Sequence, residues 1–432
     1  MLKKLYARWM YAWETKLTTR DENRVVRPLE WGFDWLQPTL REAGLSVRAS
    51  ALGNNPPPDS PEAKALMIEL NQAILAHSER FFSYDRPTDF RLEERHPHLF
   101  PTNVRPETLA KDARIKAEAN EGKLPRAQFL RFTSPERTPY PENDLVNARW
   151  YPADPEKQKG KPKQAIIILP QWNADAFSHN ALCSLFNRFG ISALRLSKPY
   201  HDIRRPSELE RSDYAVSANI GRTLSAARQA VVDIRCCVDW LEEQGYEQFG
   251  VLGTSLGSCY AFLASAFDPR IRVNAYNHCS TSFGDVVWAG QSTRHIRQAL
   301  EEAGMTQESL RDLWAGISPL HHYERFASLS RPDANNSFPA TAKKILLVYA
   351  RYDLTFPLEY SLEVVNAFRA SGFAFEQRML PCGHYTTGET PFQYMDGWFL
   401  GSFVYRAFRD LAKESMAAAE AATEPEAELT LR

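Results

Sequence analysis

The sequence predicts an α/β fold: a mostly parallel β-sheet with helices on both faces, a helical extension at the N-terminus and a helical cap insertion. Two observations carry this expectation. From about Gln128 onward, short apolar, β-branched runs alternate with helical patterns, as they do when crossover helices bury a sheet on both faces. Three of those runs end in loops holding a serine, an aspartate and a histidine, in that order. An open parallel sheet gathers such loop tips along one edge.

The elements follow in chain order. Leu2, Leu5, Tyr6, Trp9, Met10, Trp13 and Leu17 recur at helical spacing and predict an amphipathic first helix. Three consecutive prolines after Asn55 break the chain, and a second helical stretch runs from Pro61 to Phe81. The polar region around Arg91, Glu93, Glu94 and Arg95 reads as irregular, so residues 1–127 are expected to form an extension wrapped on a main domain. Phe129–Phe132 and Leu145–Tyr151 read as two strands joined by a turn around Pro139 to Asn143. Beyond the charged linker Glu156 to Lys163, strands are expected at Ala165–Leu169, Ser192–Leu196, Phe249–Leu252, Val273–Asn277, Ile345–Tyr349 and Phe375–Leu380. The longest helical pattern lies between them, from about Ala218 to Gln244. Residues 283–340 are too many for a simple crossover and predict a cap that shapes the pocket within a main domain of 128–414. The Ala/Glu-rich residues 415–432 lack a core pattern and read as a frayed helix and tail.

Composition excludes several classes. With 44% hydrophobic and 24% charged residues the chain is globular, and 432 residues bury a core without disulfide or metal staples. Lys+Arg 52 against Asp+Glu 53 leaves a net charge of −1, without the basic excess of a nucleic-acid binder, and no such partner is expected. Six cysteines with no CxxC pair read as buried, reduced thiols. No run approaches the roughly 20 apolar residues of a membrane span. Arg8 and Glu14 interrupt any signal-peptide core, so a cytoplasmic location is expected.

Gly253-Thr254-Ser255-Leu256-Gly257 sits between the strand Phe249–Leu252 and an apolar helix. In that context Gly-x-Ser-x-Gly marks a tight turn that presents a serine hydroxyl, with flanking glycines letting strand and helix approach. A lone hydroxyl needs a base, and the base an orienting acid. Ile345–Tyr349 leads into Ala350-Arg351-Tyr352-Asp353, and Phe375–Leu380 into Pro381-Cys382-Gly383-His384. Ser255, Asp353 and His384 are therefore the candidate nucleophile, acid and base. Asp285 is a rival acid, and His278 and His201 follow other strands as candidates for the pocket wall. Arg95-His96-Pro97-His98 reads as an exposed loop, because proline separates its histidines and further ligands are missing; no metal site is expected.

These motifs resemble the α/β-hydrolase superfamily over roughly Gln128 to Leu411, and within it the acetyl xylan esterase and dienelactone hydrolase branch. Arg228 to Gln244 is similar to the long helix before that branch's nucleophile strand, and Ile317-Ser318-Pro319-Leu320 to its recurring Ser-Pro. The first helix with its proline-rich wrap, and Lys198-Pro199-Tyr200, resemble an abhydrolase-domain family. The resemblance implies the α/β-hydrolase fold and a serine hydrolase acting on a small-molecule carboxylic ester without a cofactor. Thioesterase, acyltransferase and peptidase chemistry on the same three residues, or a catalytically silent binding protein, remain as alternatives. Where many relatives carry His-Gly-Gly, this chain reads Leu169-Pro170-Gln171-Trp172-Asn173-Ala174. Backbone N–H of Leu256 with that of Gln171 or Trp172 is then the expected oxyanion hole, with Trp172 narrowing the acyl side.

Two further expectations concern the periphery. Arg204 and Arg205, with Lys198 and His201, read as a solvated loop paired with Glu208 or Glu210, with a cationic rim that clamps an anionic substrate group as the less favoured account. The first helix is expected to dock on the body through Leu5, Trp9 and Trp13; peripheral membrane contact through it is the less favoured account.

Overall fold

The structure, a computed structural model, describes residues 2–53, 55–330, 342–372 and 374–429. One nine-stranded sheet organises the chain: β1 (Arg91–Arg95), β2 (Ala127–Thr133), β3 (Leu145–Tyr151), β4 (Gln164–Leu169), β5 (Ser192–Ser197), β6 (Gln248–Thr254), β7 (Ile271–Asn277), β8 (Lys344–Ala350) and β9 (Glu376–Leu380). Their spatial order is β1-β2-β3-β5-β4-β6-β7-β8-β9. The pairs β1–β2, β2–β3 and β3–β5 are antiparallel, and every pair from β5 to β9 is parallel. All eight expected strands are present, within a few residues of the expected ends.

Strand β1 was not expected. Its residues Arg91, Glu93, Glu94 and Arg95 are charged because it is the sheet's edge, where exposed charge discourages pairing with another chain. An edge strand without an apolar face carries no alternation to read. The sheet thus begins inside the stretch 1–127 expected as an extension.

Each face of the sheet has its own core. Helices Ile220–Glu243, Leu256–Phe267 and Leu358–Ala370 pack on one; Asn180–Arg188 and Phe392–Leu429 pack on the other. The N-terminal segment is sealed into the first core. Trp31, Leu36 and Leu40, with Leu66 and Leu70 of the helix Pro61–Ala76, are buried among the same side chains as the helix Ile220–Glu243. Gly32 and Gly221 make this approach possible, since a Cβ on Gly221 would lie 1.9 Å from the Gly32 carbonyl. The expected cap holds four short helices, Phe283–Ala289, Arg294–Glu302, Gln307–Leu313 and Tyr323–Ser328, while 331–341 lie outside the described residues. Asn71 clamps it from the N-terminal side, donating to Leu313 O at 2.8 Å and accepting from Gly316 N at 3.0 Å. No break occurs at residue 415: the last helix runs from Phe392 to Leu429, and 430–432 lie outside the described residues.

The first helix, Leu2–Thr19, is docked, but of the expected residues Leu5, Trp9 and Trp13 only Trp13 packs on the body. Leu5 and Trp9 remain 53% and 51% exposed, whereas Met10, Glu14, Leu17 and Thr18 are buried. Those four recur at i, i+4, i+7 and i+8, so the helix is rolled to bring a carboxylate inward. Trp13 is half-buried against Phe392, with ring centroids 6.2 Å apart. Deleting residues 1–20 is expected to lower Tm by several degrees, since burying Met10 and Leu17 contributes about 1.5–3 kcal/mol each. A truncated protein melting with the full chain in calorimetry would show that the helix adds nothing to the body. Among the described residues, no helix is long and apolar enough to cross a membrane.

Candidate active site

Strand β6 delivers Ser255 to the sheet's carboxyl edge on a strained turn, with φ 58° and ψ −122°. The flanking glycines are required by contact: a Cβ on Gly253 would lie 2.2 Å from Gly257 O, and one on Gly257 2.2 Å from Leu169 O. Ser255 N donates to Asn277 O at 2.7 Å, which ties the turn to the end of β7. Asp353 and His384 arrive from the loops after β8 and β9.

The structure brings these three side chains together. Ser255 Oγ lies 3.0 Å from His384 Nε2, and His384 Nδ1 lies 2.9 Å from Asp353 Oδ2. Asp353 Oδ1 accepts Thr355 N and Phe356 N, each at 2.7 Å. Phe356 stacks on the imidazole at 5.2 Å between centroids. Burial alone would push His384 down, but the Asp353 charge and hydrogen bond, with the Glu14 charge behind them, hold it above the ordinary histidine value. Burial would likewise raise Asp353, yet His384 and His278 outweigh it and keep the carboxyl well below the usual range.

His278 stands closer to this chemistry than a pocket wall requires. Its Nδ1 lies 3.1 Å from the same Asp353 Oδ2, and its ring centroid 4.5 Å from that of His384. A carboxylate oxygen only accepts, so both imidazoles carry a proton on Nδ1. Burial and the neighbouring His384 lower His278, against the pull of Asp353. Among the described residues, His278, Asp353 and His384 are also the one His/Cys/Asp/Glu group with atoms close enough to share a metal ion. Their facing atoms are already matched donor to acceptor, which leaves no lone pair on either Nδ1 for a cation.

The rival acid is elsewhere. Asp285 Oδ1 accepts Gln307 Nε2 at 2.8 Å and Arg311 Nε at 2.6 Å, joining two cap helices.

Gln171, Trp172 and Leu256 line the cleft beside Ser255. Trp172 is pinned by its indole N–H to Ser212 O at 3.0 Å and lies parallel to the His295 ring. Lys198 secures the loop from behind: its ammonium donates to Pro170 O at 2.7 Å and Gln171 O at 3.2 Å. Burial pushes that amine down to about 7, with Arg195 adding to the effect and Asp202 opposing it. Lys198→Met should leave both carbonyls without their donor, cost about 1–3 kcal/mol and lower kcat through a looser loop. An unchanged denaturation midpoint would show that the two contacts carry nothing.

Neither the solvated loop nor the cationic rim is formed around Lys198, His201, Arg204 and Arg205. Lys198, His201 and Arg204 are buried. Arg204 pairs with the equally buried Asp233 at 2.8 Å and donates to Asn143 O and Ser197 O. His201 Nδ1 lies 2.8 Å from Pro199 O, and Arg205 donates to Pro101 O at 2.9 Å. None of these four residues lines the cleft. Lys198, Arg204 and Arg205 instead donate to backbone carbonyls, and Arg204 also pairs with the Asp233 carboxylate.

The cleft has a volume of about 1270 Å³. One end, by Trp172, Cys259, Phe283 and Val287, lies under the cap; the other runs between helices Asn180–Arg188 and Phe392–Leu429, past Leu185 and Trp398. Arg20 and Asp21 of the N-terminal segment reach its rim, so the cap does not shape it alone. Asp396 lines it too, accepting Asn277 Nδ2 at 2.9 Å, and burial lifts its carboxyl to about 7 against that hydrogen bond. Sequence reasoning missed Asp396, Lys198's hold on the loop and Glu14; only Glu14 left a signal, a charge on an otherwise apolar helix face.

The sheet, its crossovers and the serine turn at its carboxyl edge define an α/β hydrolase. Residues 92–312, just over half of the chain, match the family described as Alpha/beta hydrolase domain containing 18, and the chain belongs to that family. Similar solved structures include an esterase of Pyrococcus furiosus, 12% identical, with 75% of this chain and 99% of that one covered and a TM-score of 0.43. Acetyl xylan esterase 1 of a Thermoanaerobacterium is 14% identical, with coverage of 76% and 93% and a TM-score of 0.47. An acetyl xylan esterase of a Paenibacillus is 11% identical, with coverage of 78% and 93% and a TM-score of 0.48. No curated protein matches the sequence.

Proposed function

We propose that the protein hydrolyses a carboxylic ester through Ser255, His384 and Asp353. The observation that supports this best is the unbroken chain of contacts Ser255 Oγ–His384 Nε2–Asp353 Oδ2, at 3.0 and 2.9 Å, with Ser255 and His384 lining the cleft and Asp353 buried behind them. His384 takes the serine proton as the oxygen attacks the ester carbonyl, and Asp353 holds the tautomer and stabilises the imidazolium. Leu256 N–H, with Gln171 or Trp172 N–H, would receive the developing oxyanion. Collapse of the intermediate passes the proton to the leaving alkoxide and leaves an acyl-serine. Water, deprotonated by the same imidazole, then releases the acid. The reading needs no group beyond the chain. All six cysteines are free, which suits a reducing compartment such as the cytoplasm.

A fluorophosphonate probe tests this on native and denatured protein. Labelling of Ser255 in the native form alone, with turnover of p-nitrophenyl esters across a series of chain lengths, is the expected result. A native protein that is not labelled and turns over no ester would leave a binding protein on the same fold.

A further inference from the structure

Glu14 is fully buried in the first helix, more than three hundred and fifty residues from the loop it touches. Its Oε1 accepts Tyr385 N at 2.8 Å; its Oε2 accepts Thr386 N at 3.0 Å and the Thr386 hydroxyl at 3.1 Å. That hydroxyl in turn accepts Gly383 N at 2.6 Å. The backbone N–H groups on both sides of His384 are therefore tied, directly or through one hydroxyl, to a single carboxylate. The carboxylate packs directly on Gly383: with Glu14 where it stands, a Cβ there would lie 2.4 Å from Glu14 Oε2. The helix is anchored around this contact by Tyr6 OH, which donates to Pro381 O at 2.5 Å, and by Thr18, which bonds Gln291.

A leucine at position 14 would dock the helix at lower cost, because a buried carboxylate must give up its hydration. Burial and the nearby Asp353 both raise Glu14, and the Tyr385 and Thr386 N–H groups pull it back. Every contact is a donor, so the ionised form fits. Its charge lies behind the imidazole, on the same side of the balance as Asp353.

We infer that Glu14 is a positioning residue for His384, supplied by the N-terminal helix: it fixes the loop that aims Nε2 at Ser255 and favours the imidazolium formed during attack. This rests on the triad reading above. Other groups bear on the same site. His384 also faces His278 and Asp353. Cys382 lies beside Glu14, Asp353 and Asp396, and burial pushes its thiol up to about 12. Tyr385 is raised by burial, with Arg24 and Arg211 opposing and Asp21 reinforcing. Burial lifts Asp396 to about 7, and all of these groups are the same in every variant compared below.

The experiment follows fluorophosphonate labelling rate against pH in the full chain for wild type, Glu14→Gln, Glu14→Asp and Met10→Ala. Glu14→Gln is expected to label about 10²-fold more slowly, as for a reacting group displaced by about 1 Å. Its acid limb should move to lower pH, because burial then lowers His384 against one negative charge fewer. Glu14→Asp keeps the charge and should hold the limb near its wild-type position while losing part of the rate. Met10→Ala loosens the helix and should lower Tm without moving the limb. A Glu14→Gln protein with wild-type rate and limb would overturn the inference, as would an equal limb shift in Met10→Ala. Failure of the triad reading looks different: labelling would then persist in Ser255→Ala, or be absent from wild type. In that case the NMR titration midpoint of His384, assigned with His384→Asn, decides the Glu14 claim alone: a lower midpoint in Glu14→Gln supports it, and an unchanged one overturns it.

Discussion

Ser255→Ala is expected to abolish fluorophosphonate labelling and to lower kcat by about 10⁴–10⁶ while the protein keeps its fold. The substitution removes one oxygen and little else. Alanine has the same backbone as serine, so the positive φ at the turn is no more strained than before, and the N–H still reaches Asn277 O. The hydroxyl's one side-chain contact, to His384, faces the cleft, so its loss leaves no buried group without a partner. Thermal stability should therefore stay within about 0.5 kcal/mol of wild type. A variant that retains more than a few per cent of the activity at wild-type stability would remove Ser255 from the chemistry.

What the sequence revealed and what it concealed follow from one distinction. Signals carried by local periodicity and turn chemistry were legible. The parallel strands are short β-branched runs because both faces are covered, and the elbow glycines follow a turn motif whose backbone leaves no room for a Cβ: one would lie 2.2 Å from Gly257 O within the turn, the other 2.2 Å from Leu169 O on the neighbouring strand. Asp353 and His384 could be read because each follows a strand end directly. What depends on which way a loop turns was not legible. Arg204 and Lys198 follow β5 as a rim residue would, yet the chain folds them inward onto Ser197 O and Pro170 O. His278 sits just past β7, as expected of a residue on this edge, but its share in Asp353 is set by how two loops meet in space. Strand β1 is hidden by the charge that protects an edge, and the face by which the first helix docks is decided by Glu14 finding three donors in a distant loop.

The sharpest division among the acids lies between Asp353 and Asp285. Asp353→Asn is expected to lower kcat by about 10⁴, and Asp285→Asn to change it by no more than a few-fold. Thr355 N and Phe356 N hold one oxygen of residue 353, so an asparagine there keeps its carbonyl on them and turns its NH₂ toward the histidines. Two imidazoles that each carried a proton on Nδ1 then face a donor. For His384 the relief is to shift its proton to Nε2, the atom that must accept the serine proton, and a base in that tautomer cannot act. The pH profile should change as well. In wild type His384 lies above the ordinary histidine value, so kcat/KM should fall as pH drops through that raised pKa. Without the Asp353 charge burial dominates, the imidazole becomes a weaker base, and the acid limb of the residual activity should move to lower pH. Asp285 meets Gln307 and a half-exposed Arg311, so its loss should cost about 1 kcal/mol or less of stability and leave the pH profile in place. Measuring kcat/KM against pH for both variants decides the matter: a large loss in Asp285→Asn beside a near-wild-type Asp353→Asn would place the orienting acid in the cap.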